Sequence, residues 1–337
     1  MRNASLATLA LPLAAEPSLG GGASPRKSGK LGIATTSYMT VWRPQDTMEF
    51  LDHCHELGAD GIQSAIHGDP GKIRSQAEKW GMYVEAMVPM PAGDDTAEFE
   101  QALKNAQEAG AVALRSACLG TRRYETFKTL DAWKEHVAES IKSIEAARPI
   151  LDRYKIPLGI ENHKDWTTDE LAGLMKKYHT DYFGVCLDFG NNISLLDNDP
   201  MATIEQLAPY AVCTHLKDMS VEGSDTGFLL SEVLLGTGYI DLPRALSLVR
   251  RSRPDANFSL EMITRDPLKV PCLEDSYWVT FPDRNGLFLA RTLRFVNQHQ
   301  PFGQLPLFSS TPVAQRTKLE DDNVIACLKY ARTSLGL

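Results

Sequence analysis

Four short apolar runs constrain this chain more than anything else in it: Gly159-Ile160-Glu161-Asn162-His163, Cys186-Leu187-Asp188-Phe189-Gly190-Asn191, Cys213-Thr214-His215-Leu216-Lys217-Asp218 and Ser259-Leu260-Glu261-Met262. Each leads to a polar residue with an oxygen or nitrogen to give. In a strand, residues i and i−2 share a face. Two before Glu161, Asp188, His215 and Glu261 stand Gly159, Cys186, Cys213 and Ser259, all small. The opposite face carries Ile160, Leu187 and Leu260, with Thr214 the exception. Small residues beneath a polar tip suit the crowded inside of a closed barrel, and bulky apolar residues facing out suit a covering layer of helices. The pattern predicts parallel strands whose polar tips meet at one rim.

The rest of the chain supplies the matching alternation. Strands are expected at 31–37, 61–66, 82–88, 112–117, 158–162, 183–188, 211–217 and 258–263. Helices are expected at 46–57, 70–80, 96–109, 132–154 with an interruption near Pro149, 168–178, 201–207, 241–251 and 286–297. Several of these helices are followed by a glycine placed for a left-handed cap, as at Gly58, Gly81 and Gly110. Eight strand–helix units predict an α/β fold, a (β/α)8 TIM barrel. An open doubly wound sheet would need a phosphate loop after the first strand, and no G-x-G-x-x-G stands there. Two long connections, 219–240 and 264–283, follow the seventh and eighth strands, on the side where barrel enzymes build pockets. The second carries Tyr277, Trp278 and Phe281 and reads as a lid or pocket wall, or else as a contact between copies in a homo-oligomer.

The 337 residues fit one such barrel of roughly 250 residues with extensions. The barrel is assigned to 31–300, with a C-terminal extension at 301–337. Residues 1–30 differ: a short apolar run after Arg2, then a stretch rich in Gly, Ser and Pro. They read either as a signal remnant with a linker, implying export to the periplasm, or as a disordered tail on a cytoplasmic protein. A net charge of −8 leaves no basic footprint for nucleic acid. Arg115, Arg122 and Arg123 read as a solvated face or a small-anion contact. No apolar run is long enough for a membrane span. The six cysteines lack any C-x-x-C pair and read as small buried hydrophobes.

Three carboxylates and an imidazole suit one divalent ion, Mn²⁺ first, with Mg²⁺, Co²⁺ or Zn²⁺ as alternatives. The spacings are 27 (161 to 188), 27 (188 to 215) and 46 (215 to 261) residues, about one strand–helix unit each and then one unit plus a long loop. His163 and Lys217 stand two beyond ligands, on the same face, and are candidate catalytic groups; Lys217 reads equally as an oxyanion contact or as the salt-bridge partner of a site carboxylate. Gln63 and Glu85 are expected at the floor or mouth of the barrel.

With Gly-Ile-Glu161-Asn162-His163, Leu-Asp188-Phe-Gly-Asn191, His215-Leu-Lys217-Asp218, Gly236-Thr-Gly238-Tyr-Ile-Asp241 and Leu-Glu261, the chain resembles the xylose-isomerase-like barrels over 31–298. That family includes sugar isomerases, ketose 3-epimerases, inosose dehydratases and metal-dependent apurinic endonucleases. The resemblance implies that Glu161, Asp188, His215 and Glu261 bind the metal and that Glu161 and Glu261 transfer protons on opposite sides of the substrate. It implies an isomerase or epimerase of a sugar, keto-sugar or polyol acting through a metal-stabilised enediolate. The alternative is a lyase or dehydratase on a keto-sugar, keto-glycoside or inosose. Asn191 departs from the epimerase pattern, which commonly has a histidine there; an amide can bind a sugar oxygen but does not titrate near neutrality. Arg265 and Trp278 are further candidates for substrate binding. An abasic-site nuclease would need more histidines than the eight present, several of which fall on helices. A non-catalytic sugar-binding barrel is the remaining reading.

Overall fold

The computed structural model describes residues 29–197, 199–301 and 303–337. The leader reading, apart from its last two residues, therefore lies outside the described residues. Eight parallel strands close into a barrel: β1 (Leu31–Ala34), β2 (Gly61–Ser64), β3 (Tyr83–Met87), β4 (Ala113–Ser116), β5 (Leu158–Glu161), β6 (Phe183–Asp188), β7 (Ala211–Leu216) and, after an excursion, β10 (Phe258–Leu260). Going round, β10 lies between β7 and β1. The predicted (β/α)8 fold is the one observed, with helices between the strands.

The alternation behaves as a barrel wall requires. Outward-facing Ile33, Ile62, Val84, Leu114, Ile160, Leu187 and Leu260 are buried under the helices. Inside, Ala113, Cys186 and Cys213 pack together. Gly159 has to be glycine, because a Cβ there would strike the β6 backbone at Val185 and Cys186. Below the rim Tyr83 crosses the lumen and donates to Phe258 O at 2.8 Å. All six cysteines are unpaired, and five of them are buried.

The helices start and stop for local reasons. Asp69 accepts from Lys72 N to cap Pro70–Trp80, which ends on Gly81 at φ 67. Thr167 and Glu170 form a reciprocal capping box on Thr168–Tyr178. The expected break at Pro149 does not occur: Leu130–Tyr154 runs through it. The proline removes one helix hydrogen bond, but buried Ala147, Ile150 and Leu151 hold the last turns against the barrel.

The connection 219–240 is mostly not a loop. β8 (Asp218–Ser224) and β9 (Gly227–Val233) form an antiparallel hairpin, and β11 (Leu268–Val270) from the next connection adds to its edge. Asp218 roots this excursion. Its Oδ2 accepts from Gly236 N and Gly238 N at 2.9 Å, and its Oδ1 from Met219 N at 2.9 Å and Ile240 N at 3.2 Å. In the C-terminal region, the helix Arg316–Tyr330 buries Val324, Cys327 and Leu328. Buried Glu320 accepts from Val41 N and Trp42 N, both at 2.9 Å, and so ties this helix to the loop after β1.

The connection 264–283 is held from beneath by Arg123. The guanidinium is buried between the rings of Trp133 and Phe281, donates to Thr280 Oγ1 at 3.1 Å, and pairs with Glu170 at 2.7 Å. Arg123 is thus an internal clamp, and the reading of the arginine cluster as a solvated face is corrected for this residue. Among the described residues no helix is long and apolar enough to cross a membrane.

Replacing Asp218 by alanine leaves four backbone N–H groups without their acceptor. We expect a loss of about 2–4 kcal/mol, read as a lower urea midpoint. An unchanged midpoint would show that the hairpin root holds without this carboxylate.

Candidate metal centre

Glu161 ends β5, Asp188 ends β6, His215 lies one residue from the end of β7, and Glu261 follows β10. These four strands are consecutive round the barrel. Asp188 is level with His215, and His215 is level with Ser259, two residues before Glu261. The side chains converge in a buried cluster whose donor atoms all lie within 4.8 Å of one another.

His215 organises the cluster. Its Nε2 faces Gln63 Oε1 at 2.6 Å. An amide oxygen only accepts, so Nε2 carries the hydrogen and Nδ1 presents its lone pair when the ring is neutral. Nδ1 stands 3.4 Å from Glu161 Oε1, 3.4 Å from Glu261 Oε1 and 3.6 Å from Asp188 Oδ2. Buried Nδ1 makes no hydrogen bond among the described residues. Separations of about 3–4 Å are those of donors sharing one ion at about 2.1 Å. The donor set therefore fits a divalent cation, with these four residues as its holders. Burial opposes charge on the ring, but the surrounding carboxylates override it and raise the His215 pKa well above its ordinary value. A cation, whether ion or proton, is favoured at that spot.

Beneath the ring a polar chain runs into the barrel. Gln63 donates to Glu85 Oε2 at 2.9 Å, and Ser259 donates to the same oxygen at 2.9 Å. Burial pushes the Glu85 carboxyl up to about 7, against the pull of those two bonds. Of the two places expected, floor or mouth, Gln63 and Glu85 take the inner one, behind the four-residue cluster, and fix the imidazole orientation.

Around the rim, other side chains hold the carboxylates. Arg115 on β4 donates to Glu161 Oε2, at 2.6 Å from Nε and with a second bond from its terminal nitrogen. Burial opposes ionisation of Glu161, but Arg115 and His215 hold it well below the usual carboxylate range. Lys217 Nζ is 2.7 Å from Asp188 Oδ2 and also pairs with Glu261. Burial works against its charge, yet those carboxylates raise its pKa. Thr36 donates to Glu261 Oε1 at 2.7 Å. Asn191 donates to Glu161 Oε1 at 3.2 Å, and its own N–H bonds Asp188 Oδ1 at 2.8 Å.

His163 bonds Leu119 O through Nδ1 at 2.9 Å, which leaves Nε2 as an acceptor; burial lowers its pKa despite the attraction of Glu161. Arg265 makes a two-point pair with buried Glu232, at 3.1 and 2.5 Å. Trp278 donates to Cys272 O at 3.0 Å and meets Tyr277 edge-on. Neither Arg265 nor Trp278 bonds a member of the four-residue cluster. His53, His136 and His179 lie in or at the ends of helices, away from this cluster.

Sequence reading missed Arg115, Thr36, Lys164 and Glu232. Arg115 had a signal: it follows small, inward Ala113 by two, the same step that marks the ligands. Glu232 lay hidden in a segment read as loop.

A closed parallel barrel with a buried, four-donor anionic nest at its rim is a (β/α)8 protein with a candidate metal centre. The chain belongs to the xylose isomerase-like TIM barrel family, whose model matches residues 51–280. Its fold is similar to that of an L-ribulose 3-epimerase (15% identity, 82% of this chain and 100% of that one, TM-score 0.52). It is also similar to a xylose isomerase-like TIM barrel protein from Mycobacterium smegmatis in complex with magnesium (17%, 80% and 98%, 0.51) and to a mannonate dehydratase from Streptococcus suis serotype 2 (14%, 85% and 98%, 0.51). At these identities the likeness is one of fold. Comparison with curated proteins finds no match.

Two outcomes follow from the polar chain. Gln63→Met removes the acceptor that fixes the imidazole, and Mn²⁺ affinity measured by calorimetry should fall about 10–100-fold; equal affinity would show that the ring needs no such lock. Glu85 has a folded pKa of about 7 against an ordinary 4.5, so its contribution to stability is whole below about 4.5 and is lost as pH rises through about 7. Glu85→Gln, neutral throughout, should flatten the fall in urea-derived stability between about pH 5 and 8. Identical slopes in the two proteins would refute it.

Proposed function

We propose that this protein is a divalent-metal-dependent isomerase or epimerase of a sugar, keto-sugar or polyol that works by proton transfer at carbon. The observation that carries the reading is the unpaired, buried His215 Nδ1 facing three carboxylate oxygens at 3.4–3.6 Å, with two of those carboxylates, Glu161 and Glu261, on different walls of one site. Mn²⁺ is the first choice of ion, with Mg²⁺, Co²⁺ and Zn²⁺ as alternatives. When bound, such an ion supplies Lewis-acid stabilisation of negative charge on substrate oxygens.

The protein's own groups divide the remaining work. Glu161 and Glu261 are held ionised, the form that accepts a proton, and one takes the proton from carbon while the other returns it. Return to the same carbon from the opposite face is epimerisation, and return to the neighbouring carbon is isomerisation. Lys217 keeps Asp188 and Glu261 in place, and His163 Nε2 serves as a further proton acceptor. Asn191 offers an amide to a sugar oxygen, and substrate binding is assigned to Arg265 and Trp278 as well. A cleft of about 370 Å³ opens beside Thr36, lined also by Thr35, Met39, Arg43, His67 and Met87. Its size falls in the range of small-molecule sites.

The epimerase among the proteins of similar fold supports this reading. The mannonate dehydratase supports a second one, a lyase that uses the same carboxylates and expels a β-leaving group.

Incubation of Mn²⁺-loaded protein with a panel of sugars, keto-sugars and inososes in deuterated water separates these. Deuterium at carbon with the skeleton retained is the expected result, and Glu261→Gln should cut it about 10²–10⁴-fold. Loss of water or of an aglycone instead would establish the lyase. No exchange with any member of the panel, or full activity of Glu261→Gln, would sink the proton-transfer assignment.

A further inference from the structure

We propose that Lys164 binds an oxyanion of the substrate, a carboxylate or a phosphate, so that the pocket prefers acidic sugars to neutral ones. This rests on the site being a sugar pocket that holds a divalent ion.

Lys164 follows the Glu-Asn-His run and is 4% exposed. Its φ is 65°, uncommon for a residue with a side chain. Three backbone contacts impose that turn. Asp165 Oδ1 accepts from His163 N at 3.1 Å and Trp166 N at 2.8 Å, and Lys164 O accepts from Arg123 N at 3.1 Å. The turn carries the ammonium to Asn191 Oδ1, the same amide that donates to Glu161 Oε1 at 3.2 Å. Lys164 Nζ is therefore one side chain away from a proposed metal ligand.

The three other cations beside the four-residue cluster each have a carboxylate: Arg115 has Glu161, Lys217 has Asp188 and Glu261, and Arg265 has Glu232. Among the described residues Lys164 has none within 4 Å, and its described partner is a neutral amide. An ammonium has three N–H donors, and a buried charge without a counter-charge is costly. Burial, with repulsion from Lys217 and Arg265, lowers this lysine to about 8.

The charge count points the same way. Arg115, Lys164, Lys217 and Arg265 balance Glu161, Asp188, Glu232 and Glu261, while burial pushes Glu85 and Asp165 toward their neutral forms. A divalent ion would then leave an excess of positive charge, and an anionic substrate neutralises it. Among the cations packed around the four-residue cluster, Lys164 is the one without a carboxylate.

The test uses three ligands of one skeleton with Mn²⁺-loaded protein: D-glucitol, D-gluconate and D-glucitol 6-phosphate. Calorimetry should show one of the two anions binding at least about tenfold tighter than glucitol, and which one identifies the oxyanion. Lys164→Gln should bring that anion to the level of glucitol, and Lys164→Arg should retain the preference. On the wild-type protein, where folding is not in question, the preferred anion should slow trace acetylation of Lys164, read by mass spectrometry, while glucitol should not. Equal affinities, a preference that survives in Lys164→Gln, or unprotected Lys164 would overturn the proposal. Mn²⁺ binding is titrated separately without sugar. Bound Mn²⁺ with no anion preference removes only the role of Lys164, whereas no bound Mn²⁺ removes the metal reading beneath it.

Discussion

Everything at the rim depends on keeping negative charge inside a barrel mouth from which water is largely excluded. Glu161, Asp188 and Glu261 are each almost fully buried. Isolated carboxylates at such depth would protonate rather than stay charged. Glu161 and Glu261 are held in the charged form because cations are built in around them: Arg115 from β4 and Lys217 from just past β7. At Glu161 and Glu261 the cation takes Oε2 and leaves Oε1 turned toward His215, whereas at Asp188 both Lys217 and His215 face Oδ2. The centre is thus a two-layered shell, with fixed positive groups outside and an inner ring of lone pairs.

That arrangement explains how much of the fold was legible. Inward strand positions have to be small below the rim and polar at it, and this rule is local in sequence. It yielded the four clustered residues directly, while the strand–helix alternation along the chain yielded the eight parallel strands. Gln63, two beyond Gly61, and Arg115, two beyond Ala113, obey the same rule. Arg115 nonetheless reads as part of a solvated face or a small-anion contact, because three nearby arginines look like a patch when only composition is considered.

The remainder was hidden for physical reasons. The hairpin of β8 and β9 carries its turn signal in Asp225-Thr226-Gly227, but it sits where barrels usually have a loop. Pro149 looked like a stop because proline removes a helix hydrogen bond; tertiary burial of the following turn outweighed that loss. Arg265 reads in sequence as a substrate-binding candidate, whereas its partner Glu232 comes from the hairpin. Lys164 depends on a left-handed backbone, which has no reliable mark in a residue other than glycine.

The root of the hairpin has a consequence for how such a barrel can diversify. Asp218 pins both ends of the excursion, directly beside Lys217, while the turn at 225–226 sits at the far end of both strands. Residues can be added or removed at that distal turn without disturbing the register of the strands where they leave the barrel. The excursion is in effect an interchangeable finger on a fixed knuckle, able to change beside a four-residue cluster that stays where it is.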